Sequence, residues 1–413
     1  MVDFEFSAGT GSKGDCIAVY RPGSAPLSID VSSSTGDLFR RAVLEAAERE
    51  ASRFFPSAVA GDRIQAGHRE SKPGGSLRIQ DEGALDYVVE ARVEAVFRAA
   101  GLPRNEPLAR RPGRPAGRSE GGQRRRRSRL YLPGNQPDLY IHAGLFGADC
   151  LVLDLEDSVS PGRKAEARFL AARLLSRHRE FLGTSEISVR VNPLDSPWGV
   201  EDLETIVPMA PDALVLPKCE SPEQILAWEA FVARLEECHD LSPGSIHFYP
   251  LIETAQGVSS AARIAAASAR TVALSFGAED FRSELGLPRT PSEEELAVPR
   301  SLIVIAARSA GKTALDSVYA ALDDPDGLRA SAARARALGF SGKSLIHPSQ
   351  IDIVNEAFSP TAEEIAWAQN VLKTMEDAAG RGRGAAALDG FMVDAPLHAR
   401  ALEILAFAGD QHE

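Results

Sequence analysis

Short apolar runs alternate with amphipathic segments along the chain after residue 128. In the amphipathic segments the apolar residues recur every three to four positions, which is typical of helices between strands. The runs that predict strands are Arg129–Leu132, Cys150–Leu155, Ile187–Asn192, Ala213–Leu216, Ile246–Ile252, Val272–Phe276, Ala314–Val318 and Ser344–Ile346. Helical spacing is clearest at Gly162–His178, Pro222–Glu237, Glu294–Ser309 and Asp326–Leu338. Eight β-then-α units predict a (β/α)8 TIM barrel, with a doubly wound open sheet as the alternative.

A second pattern occupies residues 1–101. The segments with strand or helix patterns are Asp15–Tyr20 and Leu27–Val31 for strands, and Gly36–Phe54 and Gly83–Ala100 for helices. The stretch Pro56–Gly83 is polar and contains several glycines, so it predicts a loop-rich connection. We therefore expect a small α+β domain ahead of the barrel.

Residues 102–128 are rich in proline, glycine and arginine and contain almost no apolar residue. Such a segment cannot bury enough surface to order itself, so it predicts a flexible linker. The run Arg124–Arg127 fits either a targeting or nucleic-acid patch or a solvated stretch beside the barrel entrance, and we favour the second. The division is then 1–101, the linker at 102–128, and a barrel with a C-terminal extension at 129–413.

Composition narrows the class of protein. A net charge of −12 opposes nucleic-acid binding by bulk electrostatics. The four cysteines form no CxxC pair, which predicts neither a zinc site nor a disulfide framework and favours a cytoplasmic location. The amino terminus shows no signal-peptide pattern, and no apolar stretch is long enough to predict a membrane span.

Polar residues follow directly after most of the predicted barrel strands. They read PGN (133–135), DLED (154–157), RVN (190–192), PK (217–218), IET (252–254), GAED (277–280) and IHP (346–348). In barrels of this kind the C-terminal ends of the strands carry the chemistry. The pattern therefore predicts an active site that contains several acids, two cations and a histidine.

Glu253 and Asp280 follow the fifth and sixth predicted strands, which would be neighbours in the barrel. Two carboxylates without a Cys or His cluster favour Mg²⁺ over zinc, and the alternative is a pair of solvated or salt-bridged acids. Asp154 and Glu156 would lie close enough to orient metal-bound waters. Arg190 could bind a carboxylate at two points or pair with one of these two acids.

The segments SRLYLPGN, ADCLVLDLEDSV, VRVNPLDSPWGVEDLE, LIETAQG, GAEDF, LGFSGKSLIHPSQI and DGFMVDAP occur in order between Arg129 and about Gly409. In them the chain resembles the citrate lyase beta subunit, within the wider aldolase/citrate lyase barrel family that includes the malyl-CoA lyases. The resemblance implies a homotrimer in which Glu253 and Asp280 bind Mg²⁺ and Arg190 binds the carboxylate of the keto acid. It also implies that Asp394 serves a neighbouring subunit in proton transfer.

The same resemblance makes Arg129 and Lys343 candidates for the phosphates or pantetheine of a coenzyme A thioester. The N-terminal domain, over most of residues 8–103, resembles the gamma subunit of citrate lyase, its acyl carrier protein, in AGTGSKGD and GALDYVVEARVEAVFRAAGLP. That family attaches its prosthetic group, phosphoribosyl-dephospho-CoA, to a serine two residues before the aspartate. Here Lys13 stands at that place and Ser12 precedes it. Either Ser12 carries the group, or the substrate is a free coenzyme A thioester.

These features predict a Mg²⁺-dependent lyase that cleaves a citryl or malyl thioester into an acetyl-type thioester and a 2-keto acid. One alternative is a malyl-thioester thioesterase that uses the same site. Another is a non-catalytic acyl-carrier or assembly module. A complete citrate lyase cycle would in addition require a separate acyl-transferase subunit.

Overall fold

The computed structural model of the chain describes residues 5–9, 15–23, 27–34, 37–54, 74–82, 84–102, 124–380, 384–388 and 390–409. Ser12 and Lys13, the possible attachment region, lie outside the described residues. So does the part of the predicted linker from 103 to 123.

The N-terminal unit is a four-stranded sheet with two helices. Its elements are β1 (Phe6–Ala8), β2 (Cys16–Gly23), β3 (Ser28–Ser33), α1 (Asp37–Phe54), β4 (Gly74–Asp81) and α2 (Asp86–Ala99). The strand order is β1-β2-β4-β3, and only the β3–β4 pair is parallel. The predicted small α+β region is therefore confirmed.

The expectation of a loop-rich stretch at Pro56–Gly83 is wrong at its C-terminal end, because β4 lies there and is an inner strand of the sheet. Only Leu77 and Ile79 of β4 supply large buried apolar side chains, and polar residues alternate with them. This period of two is the signature of a strand, but two apolar residues are too few to stand out in a polar sequence.

Eight parallel strands close into a barrel in the order β10-β11-β12-β5-β6-β7-β8-β9. They are β5 (Ser128–Pro133), β6 (Cys150–Asp154), β7 (Glu186–Arg190), β8 (Ala213–Leu216), β9 (His247–Ile252), β10 (Ala273–Phe276), β11 (Thr313–Asp316) and β12 (Gly342–Leu345). Each matches a predicted strand within two residues, so the barrel is confirmed and the open sheet is excluded.

Helices surround the barrel and extend beyond it. They are α3 (Lys164–Arg177), α4 (Gly199–Ile206), α5 (Pro222–Cys238), α6 (Ala255–Ala266), α7 (Ala278–Leu285), α8 (Ala297–Ser309), α9 (Pro325–Leu338) and α10 (Ile351–Ala357). The C-terminal extension consists of α11 (Ala362–Ala379), the hairpin β13 (Ala386–Leu388) and β14 (Phe391–Val393), and α12 (Ala395–Gly409). Within the described ranges, no helix combines the length and the apolar character that a membrane crossing requires.

The basic run before β5 lies at the N-terminal end of the barrel. Arg126 pairs with Glu186 at the start of β7, with 2.9 Å between Nε and Oε2. Arg127 grips Asp149 with two nitrogens at 2.8 and 2.9 Å, and Arg125 donates to the carbonyl oxygen of Phe407 in α12. The expectation of a solvated stretch beside the barrel entrance is therefore wrong. These arginines hold the opposite end of the barrel together.

We predict that Gly342→Ala destabilises the protein, because a Cβ at the start of β12 would overlap the carbonyl oxygen of Arg126. Forcing backbone apart at such a contact costs about 1–3 kcal/mol, which would lower the melting temperature by several degrees. Thermal unfolding of the variant would measure the loss. Gly162→Ala is the matched control, because a Cβ there meets open space. Equal melting temperatures for the two variants would contradict the prediction.

Candidate active site

A cavity of about 310 Å³ opens at the C-terminal ends of the barrel strands. Tyr131, Leu251 and Phe276 give it an apolar floor and wall. Its charged lining consists of Asp154, Asp157, Arg190, Glu253, Glu279 and Asp280. The structure thus brings together four of the residues that the sequence placed at strand ends: Asp154, Arg190, Glu253 and Asp280.

Glu253 follows β9 directly and is 4% exposed. Its Oε1 accepts a hydrogen bond of 2.7 Å from the backbone nitrogen of Lys218. On its other side lies Gly277, where a Cβ would stand only 2.6 Å from Oε2. Burial, and then the charge of Asp280, raise the pKa of Glu253 to about 8. The carboxyl group is therefore closely packed, and nearby positive charge offsets its negative charge only in part.

Asp280 lies in the first turn of α7, and its helix follows the strand that pairs with β9. Among the described residues, no group lies within hydrogen-bond or ion-pair distance of its carboxylate, and the nearby charges act on it from further away. Burial, followed by the charge of Asp157, raises its pKa above the ordinary value. A cavity-facing acid without a close partner is a group whose natural counterpart is a ligand.

The donor set of these two acids fits a hard divalent cation. Both donors are carboxylates, and in the described part of the chain no three His, Cys, Asp or Glu side chains converge as ligands. A cation held by Glu253 and Asp280 would therefore take its remaining ligands from water and substrate. Mg²⁺ is commonly bound in this way, through one or two carboxylates. Glycine at position 277 leaves the Glu253 carboxylate the room it occupies, because a Cβ there would stand 2.6 Å from its Oε2.

Arg190 stands at the end of β7 and is anchored by two acids. It grips Asp154 through Nε and Nη2 at 2.7 Å each, and its Nη1 lies 3.1 Å from Oε2 of Glu156. The guanidinium lies 5.2 Å from the centre of the Tyr131 ring. Burial raises the pKa of Asp154, but Arg190 outweighs it and holds that pKa below the ordinary value. The acids thus fix the guanidinium at the cavity wall, where its remaining N–H groups can face a ligand.

Glu156 lies beneath this pair and is 3% exposed. Burial raises its pKa to about 7, although Arg190 opposes the shift. Its observed partners are Arg190, the backbone nitrogen of Asp157 at 2.9 Å and the Lys218 ammonium at 3.5 Å. Asp154 and Glu156 therefore act structurally on Arg190. Their expected role in orienting metal-bound waters stays a prediction.

Lys218 contributes more to the site than its place in the sequence suggested. It adopts a left-handed backbone conformation, with φ at 52°, which is uncommon for a residue other than glycine. This turn directs the backbone nitrogen at Glu253, while the ammonium lies toward Glu156. Burial lowers the pKa of Lys218, but the surrounding carboxylates raise it by more. The sequence indicated a place for Lys218 in the site only through the dipeptide PK, which directly follows a predicted strand.

Arg129 and Lys343 do not reach the cavity. Both are fully buried. Arg129 points into the barrel, where it donates to Ser275 at 2.7 Å and stacks on Tyr249. Lys343 points outward beneath the helices and pairs with Asp316 at 2.6 Å. Binding of thioester phosphates by these two side chains does not fit their positions, because neither meets solvent.

Asp394 also lies apart from the cavity of its own chain. It follows β14 and precedes α12, where its carbonyl oxygen accepts a hydrogen bond from His398. Its side chain is partly exposed. A role in catalysis would therefore require this part of the chain to approach another copy.

Sequence reasoning missed Tyr131 and Ser317, which both line the cavity. Tyr131 lies within β5, where its inward position follows from the alternation of side chains along a strand. Ser317 lies just after β11, and its Oγ accepts a hydrogen bond of 3.0 Å from the backbone nitrogen of Ala278. This bond fixes the start of α7, which carries Asp280.

A closed parallel barrel with charged residues gathered at the C-terminal mouth defines a barrel enzyme. Residues 127–348 match the HpcH/HpaI aldolase/citrate lyase family, and the chain belongs to that family. Membership assigns it to the carbon–carbon lyases as a class.

Relatives with defined activities align over most of their length. The citrate lyase subunit beta of Leuconostoc mesenteroides subsp. cremoris is 38% identical over 290 residues, which cover 70% of this chain and 95% of that protein. The (3S)-malyl-CoA thioesterase of Cereibacter sphaeroides is 36% identical, over 65% of this chain and 89% of that protein. The crystal structure of CitE from Mycobacterium tuberculosis in complex with magnesium, acetoacetate and coenzyme A is also similar. It shows a TM-score of 0.57 and 34% identity, over 68% of this chain and 98% of that one.

We predict that Glu253→Gln stabilises the metal-free protein at alkaline pH. The pKa of Glu253 is raised from 4.5 to about 8, so the folded state holds a proton that the unfolded state releases. Wild-type stability should therefore fall as the pH rises from 4.5 to 8, whereas the amide retains the Lys218 hydrogen bond without a charge. The gain should be on the order of 2–4 kcal/mol at pH 8.5.

Urea unfolding in the presence of a chelator, at pH 5 and pH 8.5, would measure this difference. Glu237→Gln, an exposed position on α5, is the matched control and should show no such gain. A Glu253→Gln protein that is less stable than wild type at pH 8.5 would contradict the assignment of Glu253 as an uncompensated acid.

Proposed function

We propose that the chain is a Mg²⁺-dependent lyase that cleaves a 3-hydroxyacyl thioester, such as a citryl or malyl thioester, into an acetyl-type thioester and a 2-keto acid. The observation that carries this proposal is the pair of uncompensated acids, Glu253 and Asp280, beside the anchored Arg190. The two acids would hold the metal ion. Arg190 would bind the carboxylate of the keto acid.

The residues suggest how the reaction proceeds. Bound Mg²⁺ would supply a positive charge that polarises the oxygen of the departing keto acid. Arg190 presents its free N–H groups from a fixed position, so the substrate carboxylate would be oriented before the carbon–carbon bond breaks. The apolar wall formed by Tyr131, Leu251 and Phe276 would limit water around the acetyl fragment. As the bond breaks, the substrate hydroxyl loses its proton and its oxygen becomes the keto oxygen, while the acetyl fragment leaves as a thioester enolate. The proton that the hydroxyl releases balances the one that the enolate carbon must gain from a donor.

Asp394 of a neighbouring subunit is the proposed donor of that proton. In its own chain Asp394 follows a hairpin whose Phe391 and Met392 are 76% and 70% exposed. Such exposed apolar side chains are suited to contact another protein surface. We therefore propose a homotrimer in which each C-terminal extension completes the site of a neighbour.

The thioester is proposed to be carried by coenzyme A or by the N-terminal unit. The related CitE structure contains coenzyme A, which favours the free thioester. A carrier-bound substrate would instead require modification of Ser12, and a complete citrate lyase cycle would require a separate acyl-transferase subunit. The N-terminal unit as an acyl-carrier-like domain stays a proposal that rests on its sequence.

Hydrolysis of a malyl thioester is the second candidate, and the similarity to a malyl-CoA thioesterase favours it. The same acids and Arg190 would bind the substrate. Hydrolysis yields a free hydroxy acid with an intact carbon skeleton, whereas cleavage yields a keto acid. Product analysis therefore separates the two reactions.

We expect the protein to release oxaloacetate from citryl-CoA or glyoxylate from malyl-CoA only when Mg²⁺ is present. Glu253→Gln and Asp280→Asn should each lower the rate at least about 100-fold, because each removes a proposed metal ligand. Dehydrogenase-coupled and derivatisation assays would measure the two keto acids. Glu204→Gln, an exposed acid on α4, is the control. Release that is equally fast in a chelator would refute the metal site, and free malate without glyoxylate would establish the thioesterase.

We also expect Asp394→Asn to abolish turnover by itself and to regain activity when co-assembled with Glu253→Gln. In mixed trimers, a barrel with intact Glu253 can meet a neighbouring chain with intact Asp394. About a quarter of the sites would then be complete if the chains mix randomly. Activity after co-expression, compared with each variant alone, would measure this rescue. Mixed oligomers without rescue would contradict the shared site.

A further inference from the structure

Helix α2 of the N-terminal unit packs against helix α3 of the barrel. From Tyr87 to Phe97, every residue of α2 is buried, including two glutamates and an arginine. From Glu166 to Ser176, every residue of α3 is buried as well. A surface helix keeps one polar face in water, so a helix buried on all sides lies between two layers. Here α1 and the four-stranded sheet form one layer, and the barrel forms the other.

The centre of this interface is Arg173 of α3, which is completely buried. Its Nη1 lies 2.6 Å from Glu90, and its Nη2 lies 2.7 Å from Glu50 and 2.6 Å from Glu94. All three glutamates belong to the N-terminal unit, and their side chains are at most 1% exposed. Arg177, one turn further along α3, binds both oxygens of Glu90 at 2.7 and 2.8 Å. Carboxylates on one unit therefore face guanidinium groups on the other.

A second ionic contact anchors the unit beside the mouth of the barrel. Arg92 of α2 binds both oxygens of Asp15, at 2.9 and 3.0 Å. The same guanidinium reaches Glu166 at 3.3 Å and the carbonyl oxygen of Asn135 at 3.1 Å. Asn135 follows β5, and Arg163, which follows β6, donates to the carbonyl oxygen of Gly9. The end of the unit that carries Gly9 and Asp15 therefore lies at the rim of the catalytic face.

Aromatic contacts add an uncharged part to the interface. Tyr87 of α2 lies 4.9 Å, centre to centre, from the ring of His178 and 6.4 Å from that of Phe181. The rings of His178 and Phe181 stack at 5.4 Å. Tyr87 is fully buried by these neighbours.

We infer that the N-terminal unit is docked on the barrel of its own chain through α2 and α3, as a fixed part of the enzyme and not as a domain that moves on its linker. Separation of the two would break every ion pair of Arg173 and expose the buried face of α2. A partner without carboxylates opposite Arg173 would leave a buried charge unpaired, so the interface is selective for this unit. The inference does not depend on the reaction that the barrel catalyses.

The test is to cut the linker of the full-length protein. A site for a specific protease inserted between Gly121 and Gly122 would allow cleavage of the folded chain. We expect the N-terminal fragment to co-elute with the barrel in size-exclusion chromatography at about 1 μM. It should stay bound in about 0.5 M salt, because buried ion pairs are screened far less than exposed ones. Separation of the fragment, with keto-acid release by the barrel unchanged, would overturn the docking and leave the proposed function intact.

Reversing the charge of one interface residue tests whether the ion pairs hold the N-terminal unit on the barrel. Glu90→Lys places an ammonium against Arg173 and Arg177 and should release the fragment after cleavage. Glu45→Lys carries the same change of charge on an exposed position of α1 and should not. Should Glu90→Lys fail to fold, Arg177→Glu, at a site with 26% exposure, opposes Glu90 from the barrel side and should also release the fragment. Retention of the fragment by a folded reversal variant would overturn the assignment.

Discussion

The mouth of the barrel contains more acidic than basic side chains, and the active site depends on this excess of negative charge. Asp154, Glu156, Glu253 and Asp280 lie close to Arg190 and Lys218, and burial weakens the screening of the charges on Asp154, Glu156 and Glu253. Arg190 satisfies Asp154 and in part Glu156, which leaves Glu253 and Asp280 without a cation of their own. A bound divalent ion would relieve the repulsion between these acids, as expected for a binding site maintained at some cost in stability.

Much of this arrangement could be predicted from the sequence, because two simple rules determine it. Apolar runs of four to six residues become strands when they alternate with helical patterns, and parallel strands place their C-terminal ends on one face. Glu253 and Asp280 were therefore expected to meet as soon as the strands before them were recognised as neighbours. Gly277 and the turn at Lys218 could not be anticipated, because their roles arise from close approach of backbone and carboxylate in space.

Charged residues inside or beside strands were harder to interpret. Arg129 and Lys343 lie near the starts of β5 and β12, so both are at the end of the barrel opposite the catalytic face. Their partners, Ser275 and Asp316, come from distant positions in the sequence. The run Arg124–Arg127 read as linker by composition, since nothing local reveals that Glu186 and Asp149 lie opposite it. The same holds for the N-terminal unit, whose buried glutamates look like an ordinary solvated helix face until α3 is placed against them.

The N-terminal end of the barrel determines the route by which ligands enter and leave. Below the cavity, Arg129, Tyr249 and Glu186 fill the interior and are each at most 1% exposed, and Arg126 covers Glu186 from outside. Among the described residues, these side chains close the N-terminal end of the barrel, and the cavity opens at the C-terminal ends of the strands. Whatever enters must leave by the same route, so the two fragments of a cleaved substrate have to depart in sequence, and the one seated deeper waits for the one nearer the opening.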